Sequence, residues 1–382
     1  MKDSGLSFAE RCRKRRAAVV RQIQRANKID FAWITNRSDI RYLSGGSEGV
    51  SGLLIGPRVA VAITGKMFEH VLPAQVPGCE VLVGSAHKHI ADVLRKQKYR
   101  RGLGVQGRQL TWVHYRALDE ALGQRKLIDI AATVSIARAV KDDEEIRLIR
   151  RCVQLAQRGY KALLAQGTGY LLRHTERELA AELEFRMRML GADRQAFPGG
   201  IIVASGPNSA SCHHEPTGRK VRRGEALLFD WGAEYGGYRS DITRTIFVGP
   251  PSDKMRHVYE TVQEANAAGV AAVRAGATSR RVADAGWDVV REKGYGDLIR
   301  HGLGHGIGLD VHEEPGIGAG GSQPSSGDTR LRKGMVVTIE PGVYLDGIGG
   351  VRIEDDVLVM PGDQSKCLTS LPRSLQKAVL PV

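Results

Sequence analysis

Residues 227–248 read LLFDWGAEYGGYRSDITRTIFV, and this stretch decides the fold. Two apolar, β-prone runs flank a turn-rich centre, Glu234 to Tyr238, so the spacing predicts a β-hairpin with Asp230 in one arm and Asp241 in the other. Across a two- or four-residue loop, positions eleven apart can fall opposite each other, and opposite residues share one face of the sheet. Both carboxylates then point the same way. Like charges held that close among apolar residues repel unless a cation lies between them, so the pair predicts a metal site.

Downstream, three more candidates interrupt Gly-rich or β-branched sequence: His305 in HGLGHGIGLDVHE (301–313), Glu340 in TIEPGVY (338–344) and Glu354 in GGVRIEDDVLV (349–359). A lone buried histidine is commonly a satisfied core residue, and a lone strand acid commonly faces solvent. The five together point elsewhere. Four carboxylates and one imidazole form a hard donor set suited to two divalent ions, Mn²⁺ first, with Co²⁺, Zn²⁺ or Fe²⁺ as alternatives, held roughly 3.5 to 4 Å apart. Such a pair acidifies a water between the ions to near-neutral pH, which gives a nucleophile for an amide carbonyl.

At 382 residues, with 42% hydrophobic and 26% charged residues, the chain is long enough for two domains with separate cores. The start MKDSGLSFAERCRKRR lacks a secretory apolar stretch, and no run of about 18 apolar residues follows, so a cytoplasmic location without membrane partners is expected. Five cysteines stand singly, which predicts reduced thiols and no thiolate zinc site. The formal charge is +14, and residues 1–28 hold nine Lys/Arg against two Asp/Glu. That excess lies mainly on one amphipathic helix, where a solvated face is favoured over nucleic acid or an acidic partner.

The pattern FAERCRKRRAAVVRQIQRAN (8–27) predicts a helix, FAWIT (31–35) a short strand, YLSGG (42–46) a turn, and VSGLLIG with RVAVAIT (50–64) paired strands. Strands and helices alternate to about residue 137, as in a mixed α/β domain. Near residue 140 the texture changes, with Asp142 or Asp143 able to cap a long helix. Domains over 1–139 and 140–382 follow. GIGAGGSQPSSGD (316–328) reads as a loop, expected to be mobile and to bear on substrate fit. GGSEG (45–49) fits the serine-hydrolase pattern but precedes an apolar strand instead of joining strand to helix, and GLGVQG (102–107) opens no nucleotide-binding βαβ unit.

FDWGAEYGGYRSDITRT, HGLGHGIGLDVHEEP, MVVTIEPGVY and GGVRIEDDVLV, in that order, resemble the pita-bread metallopeptidases, which include methionine aminopeptidases, Xaa-Pro aminopeptidases and prolidases. Weaker likeness in DIRYLSG and KDDEEIRLIR extends the resemblance over nearly the whole chain and favours the Xaa-Pro branch. It implies an α+β fold: a C-terminal pita-bread (creatinase/aminopeptidase-like) domain preceded by a smaller mixed α/β creatinase-like domain. It further implies that Asp230 chelates one metal, Asp241 and Glu354 bridge both, and His305 with Glu340 completes the other site, Glu340 also shuttling a proton. His213 of SASCHHEPT and His312 would line the substrate pocket, with Arg352 bracing the ligands and Tyr344 near the substrate. The implied activity is hydrolysis of short peptides at proline, in a homodimer. Cys212 stands where the family usually has proline. General aminopeptidase action, a metal-dependent lyase and a non-catalytic binding module are the competing readings.

Overall fold

The computed structural model describes residues 6–318 and 328–382, so most of the Gly/Ser-rich stretch, residues 319–327, lies outside the described residues. The chain forms two compact units, residues 1–138 and 139–382.

The first unit carries a six-stranded mixed sheet, in spatial order Glu80–Val83, Val59–Thr64, Val50–Gly56, Ala32–Ile34, Leu103–Val105 and Leu127–Asp129. Val50–Gly56 and Val59–Thr64 pair antiparallel as predicted, with their alternate residues Leu54, Val61 and Ile63 in one apolar cluster. The helix Phe8–Asn27 begins on a capping box between Ser7 and Glu10 and buries Cys12, Val19, Val20 and Ile23. YLSGG is not simply a turn. Asn36 caps a helix, Arg37–Ser44, by accepting from the Asp39 N–H, and the chain turns only at Gly45, φ 103°.

In the second unit Asp142 caps the helix Asp143–Leu164 through a capping box with Glu145. Trp231, fully buried, donates its indole N–H to Ala156 O of that helix at 3.1 Å and stacks on Tyr160, 4.4 Å between centroids. This seats the helix on the strand that ends beside Asp230. That strand, Ala226–Trp231, lies between Ile202–Ser205 and Ile242–Val248 in a four-stranded sheet. A five-stranded sheet contains Gly304–Gly306, Val336–Ile339 and Asp355–Val359.

The hairpin forms with a different register from the expected one. Asp230 faces Thr243 and Trp231 faces Ile242, so Asp241 lies just beyond the last pair, diagonal to Asp230. The cause is the position of the turn: the arms continue in the same register through Ala233–Tyr235 and Tyr238–Arg239 and reverse only at Gly236–Gly237. Gly236 and Gly237, at φ 60° and 81°, supply the two positive-φ positions of the two-residue turn. Asp241 and Thr243 have the same strand parity, so the carboxylates still converge on one face.

Two buried side chains fasten the segments that bear Glu340 and Glu354, each in a short link next to a strand. Asn266, on the helix Asp253–Ala272, donates to Ile339 O at 2.9 Å and to Ile353 O at 3.2 Å, the carbonyls immediately before Glu340 and Glu354. Arg244, 2% exposed, donates to Glu354 O at 2.6 Å and to the Asp355 carboxylate at 2.7 Å. Asn266→Ala would remove the side-chain donor from two buried carbonyls, at about 1 to 3 kcal/mol each. The expected fall in melting temperature is about 5 to 15 °C. A melting temperature within 1 °C of the parent in a thermal scan would refute the anchoring role.

Candidate metal centre

A cavity of about 620 Å³ opens into the second unit, a size suited to a small peptide. Asp230, Asp241, His305, Glu340 and Glu354 all line it. One ligand atom each from Asp241, His305 and Glu354 lie within 4.8 Å of one another. His305 Nε2 is 3.3 Å from Glu340 Oε1 and 3.6 Å from Asp241 Oδ2.

The His305 strand is pressed tightly between its neighbours. A Cβ at Gly304 would collide with Thr338 O, and one at Gly306 with Glu314 O, which explains the glycines of HGLGHGIG. The same packing fixes the ring: the His305 amide donates to Thr338 Oγ1 at 3.0 Å, and Nδ1 meets Gly306 O at 3.0 Å. A carbonyl accepts only, so Nδ1 carries the proton and Nε2 presents a lone pair to the carboxylates. Burial, with His312 beside it, holds His305 down at about 3, so the ring stays neutral.

A lone pair aimed at two carboxylates is unfavourable without a positive centre between them. The acids are strained in the same sense. Burial, and then the neighbouring Glu354, Asp230 and Glu340, pushes Asp241 well above the usual carboxylate range, and burial with Glu340 and Asp230 does the same for Glu354. Asp230 Oδ1, Asp241 Oδ1 and Glu354 Oε1 are buried oxygens with no hydrogen-bond partner among the described residues. Unpartnered oxygens, a neutral imidazole nitrogen and mutual repulsion together fit a site for divalent cations.

The remaining oxygens are held from behind. Arg352 donates Nη2 to Asp230 Oδ2 at 2.6 Å, Nε to Thr243 Oγ1 at 3.0 Å and Nη1 to the Tyr344 hydroxyl at 2.8 Å. Thr243 donates to Glu354 Oε2 at 2.8 Å. Tyr344 does not touch the cavity, contrary to the expectation of substrate contact. It is 0% exposed, because its hydroxyl is drawn inward to Arg352 and to His301 Nε2, to which it donates at 2.8 Å.

His213 and His312 both line the cavity with exposed side chains, and the His312 ring meets that of His305 edge-on at 4.2 Å. His214 turns onto Glu176, with Nε2 2.9 Å from its carboxylate. Two contributors escaped the sequence reading. His301 lines the cavity, and burial with Arg352 nearby holds it down at about 4. Glu176, fully buried, accepts from Ser205, Asn208, His214 and Thr217, which ties both ends of the 205–217 segment that carries His213. HGLGH held the signal for His301. Nothing local marked Glu176, whose partners lie 29 to 41 residues away.

A buried set of carboxylates around a neutral imidazole, at the base of a peptide-sized cavity, is the arrangement of a metal-dependent hydrolase. The chain belongs to metallopeptidase family M24, which it matches over residues 147–361, and residues 16–140 match the creatinase/prolidase N-terminal domain. The fold is accordingly α+β, a pita-bread unit preceded by a smaller creatinase-like one. The chain is 34% identical over 349 residues to a Xaa-Pro dipeptidase of Pyrococcus furiosus, covering 91% of this chain and 96% of that protein. Among solved structures it resembles a Xaa-Pro dipeptidase from Bacillus anthracis (TM-score 0.87, 34% identity, 97% of this chain and 100% of that one). It also resembles an X-Pro aminopeptidase from Thermotoga maritima (TM-score 0.85, 32% identity, 96% and 99%).

Glu176 yields a pH prediction. Burial favours its neutral form, yet hydrogen bonds from Thr217, His214 and Ser205 outweigh burial and hold it at about 2. A depressed carboxyl stabilises the fold fully above its unfolded value, about 4.3, and loses that contribution as pH falls toward 2, with about 3 kcal/mol at stake. Glu176→Gln is expected to melt well below the parent at pH 7, with the gap closing between pH 4.3 and 2. A gap independent of pH would contradict the assignment.

Proposed function

We propose that this protein is a metal-dependent peptidase that hydrolyses the bond between a residue and a following proline in short peptides. The observation that carries the metal half is the neutral His305 Nε2 facing two carboxylates beside three unpartnered carboxylate oxygens. The names of the relatives support the proline half. Asp230 would hold one divalent cation, Asp241 and Glu354 both, and His305 with Glu340 the second. When bound, the cations supply Lewis acidity and a water acidic enough to act near neutral pH. An oxygen-rich donor set with one imidazole favours Mn²⁺ over softer ions.

The chain's own groups would do the rest. Glu340, beside His305, accepts the proton of the attacking water and passes it to the departing nitrogen. That transfer matters because the amide nitrogen of proline has no hydrogen and must gain one to leave. His213 and His312, at the cavity wall, are placed to hydrogen-bond the carbonyl oxygen as negative charge develops. Phe197, Ile201 and Val311 offer an apolar surface for the pyrrolidine ring. Arg352 acts through Asp230, fixing its carboxylate direction while Tyr344 and neutral His301 hold the guanidinium in place. We further infer a homodimer working in the cytoplasm, on the family resemblance; no helix of the described residues is long and apolar enough to cross a membrane.

The test is product release from Xaa-Pro dipeptides, Xaa-Pro-Xaa tripeptides and proline-free controls, using Mn²⁺-loaded and chelated protein. Selective cleavage at proline is expected, abolished by chelation and reduced at least about 1,000-fold by Asp241→Ala. Equal cleavage of proline-free peptides would favour general aminopeptidase action. Full activity after chelation, or in Asp241→Ala, would sink the proposal.

A further inference from the structure

The positive charge of this protein is distributed very unevenly between its two units. Residues 1–138 hold 24 Lys/Arg against 11 Asp/Glu, whereas residues 139–382 hold 32 against 31, so the first unit carries +13 of the total +14. A basic helix at the start accounts for only about half of that excess. The rest comes from the remainder of the same unit, and part of it converges on a groove.

That groove, about 930 Å³, lies wholly within the first unit. One wall is the helix Phe8–Asn27, which presents Arg13 and Arg21; the turn between the strands Val50–Gly56 and Val59–Thr64 adds Arg58; the last residue of the helix Ala86–Lys96, Lys96, closes the far side. All four side chains are exposed and make no ion pair among the described residues. Arg16 also lines the groove and is only 7% exposed. Its guanidinium donates to Leu43 O at 2.7 Å and Gly78 O at 3.1 Å, and it has no carboxylate partner among the described residues. A buried cation balanced only by carbonyl dipoles leaves a positive potential that a low-dielectric wall strengthens. Of the two acids at the rim, Asp92 is committed to Arg95 at 2.7 Å, which leaves Glu80 against five cations.

We propose that this groove binds single-stranded nucleic acid through its phosphates, without sequence preference. Regularly spaced anions are the complement of several separated cations, and release of condensed counterions supplies the driving force. The volume admits a few linked nucleotides of a single strand and is too small for a duplex. No Phe, Tyr or Trp lines the groove among the described residues, so bases find no stacking platform and the contacts fall on the backbone.

The experiment is fluorescence anisotropy of a labelled 20-nucleotide oligouridylate titrated with the full, metal-loaded chain between 50 and 300 mM salt. At 150 mM, binding tighter than about 100 µM is expected, with log affinity falling against log salt at a slope of about −3, as for four phosphate contacts. Arg21→Glu with Lys96→Glu should weaken binding at least tenfold and flatten the slope to about −1.4 or less. A control of equal charge change in the second unit, exposed Lys254→Glu with Arg256→Glu, should leave binding within about twofold. Peptidase activity, measured in parallel, should be unchanged in both pairs and so reports folding. Absence of binding at 150 mM overturns the proposal, including the case in which phosphatidylserine vesicles bind and the oligonucleotide does not. Equal weakening in both variant pairs also overturns it, because bulk charge and not the groove would then be responsible.

Discussion

The constraint on which the second unit turns is the gathering of four carboxylates, Asp241 and Glu354 among them buried, around one imidazole that burial holds neutral. Desolvation and mutual repulsion drive Asp241 and Glu354 toward their neutral forms, and desolvation keeps His305 from its charged form, so Arg352, paired with Asp230, is the one cation the chain itself sets against the cluster among the described residues. Cations supplied from outside resolve the conflict, and much of the surrounding architecture consists of groups that keep the oxygens aimed at one place. Arg352 takes one oxygen of Asp230, Thr243 takes one of Glu354, and in each case the other oxygen stays unpartnered among the described residues. Preorganisation of this kind moves the electrostatic cost of the site into folding.

That cost is met by anchors outside the cavity. Asn266 binds the carbonyl before each of two acidic residues, and Arg244 binds the carbonyl of Glu354 itself while paired with Asp355. A helix and two sheets are therefore locked to the cavity by side chains that touch no substrate. Glu176 does the same for the segment bearing His213, at a longer range along the chain.

How much of this was legible in the sequence depended on whether the cause was local. The helix Phe8–Asn27, the strand pair Val50–Thr64 and the cap at Asp142 were readable because periodicity and capping act over a few residues. The five metal-site candidates were readable as acids and an imidazole out of keeping with apolar surroundings. The Asp230–Asp241 register was not, because the positive-φ pair Gly236–Gly237 sets the turn one residue later than a 230–241 pairing needs, which moves the partner of Asp230 from Asp241 to Thr243. Arg37–Ser44 was hidden by the glycines that end it, which dominate the local turn signal. Asn266 and Glu176 were invisible for a different reason: ordinary helix residues in sequence, they acquire their roles only from distant carbonyls and donors.

The most direct test of the central claim is calorimetric titration of Mn²⁺ into chelator-stripped protein, with the melting temperature followed in parallel. Two ions should bind per chain with a rise in melting temperature, and both effects should be lost in Asp241→Asn. Protein that binds no divalent ion, or binds it equally well without the Asp241 carboxylate, would contradict that claim.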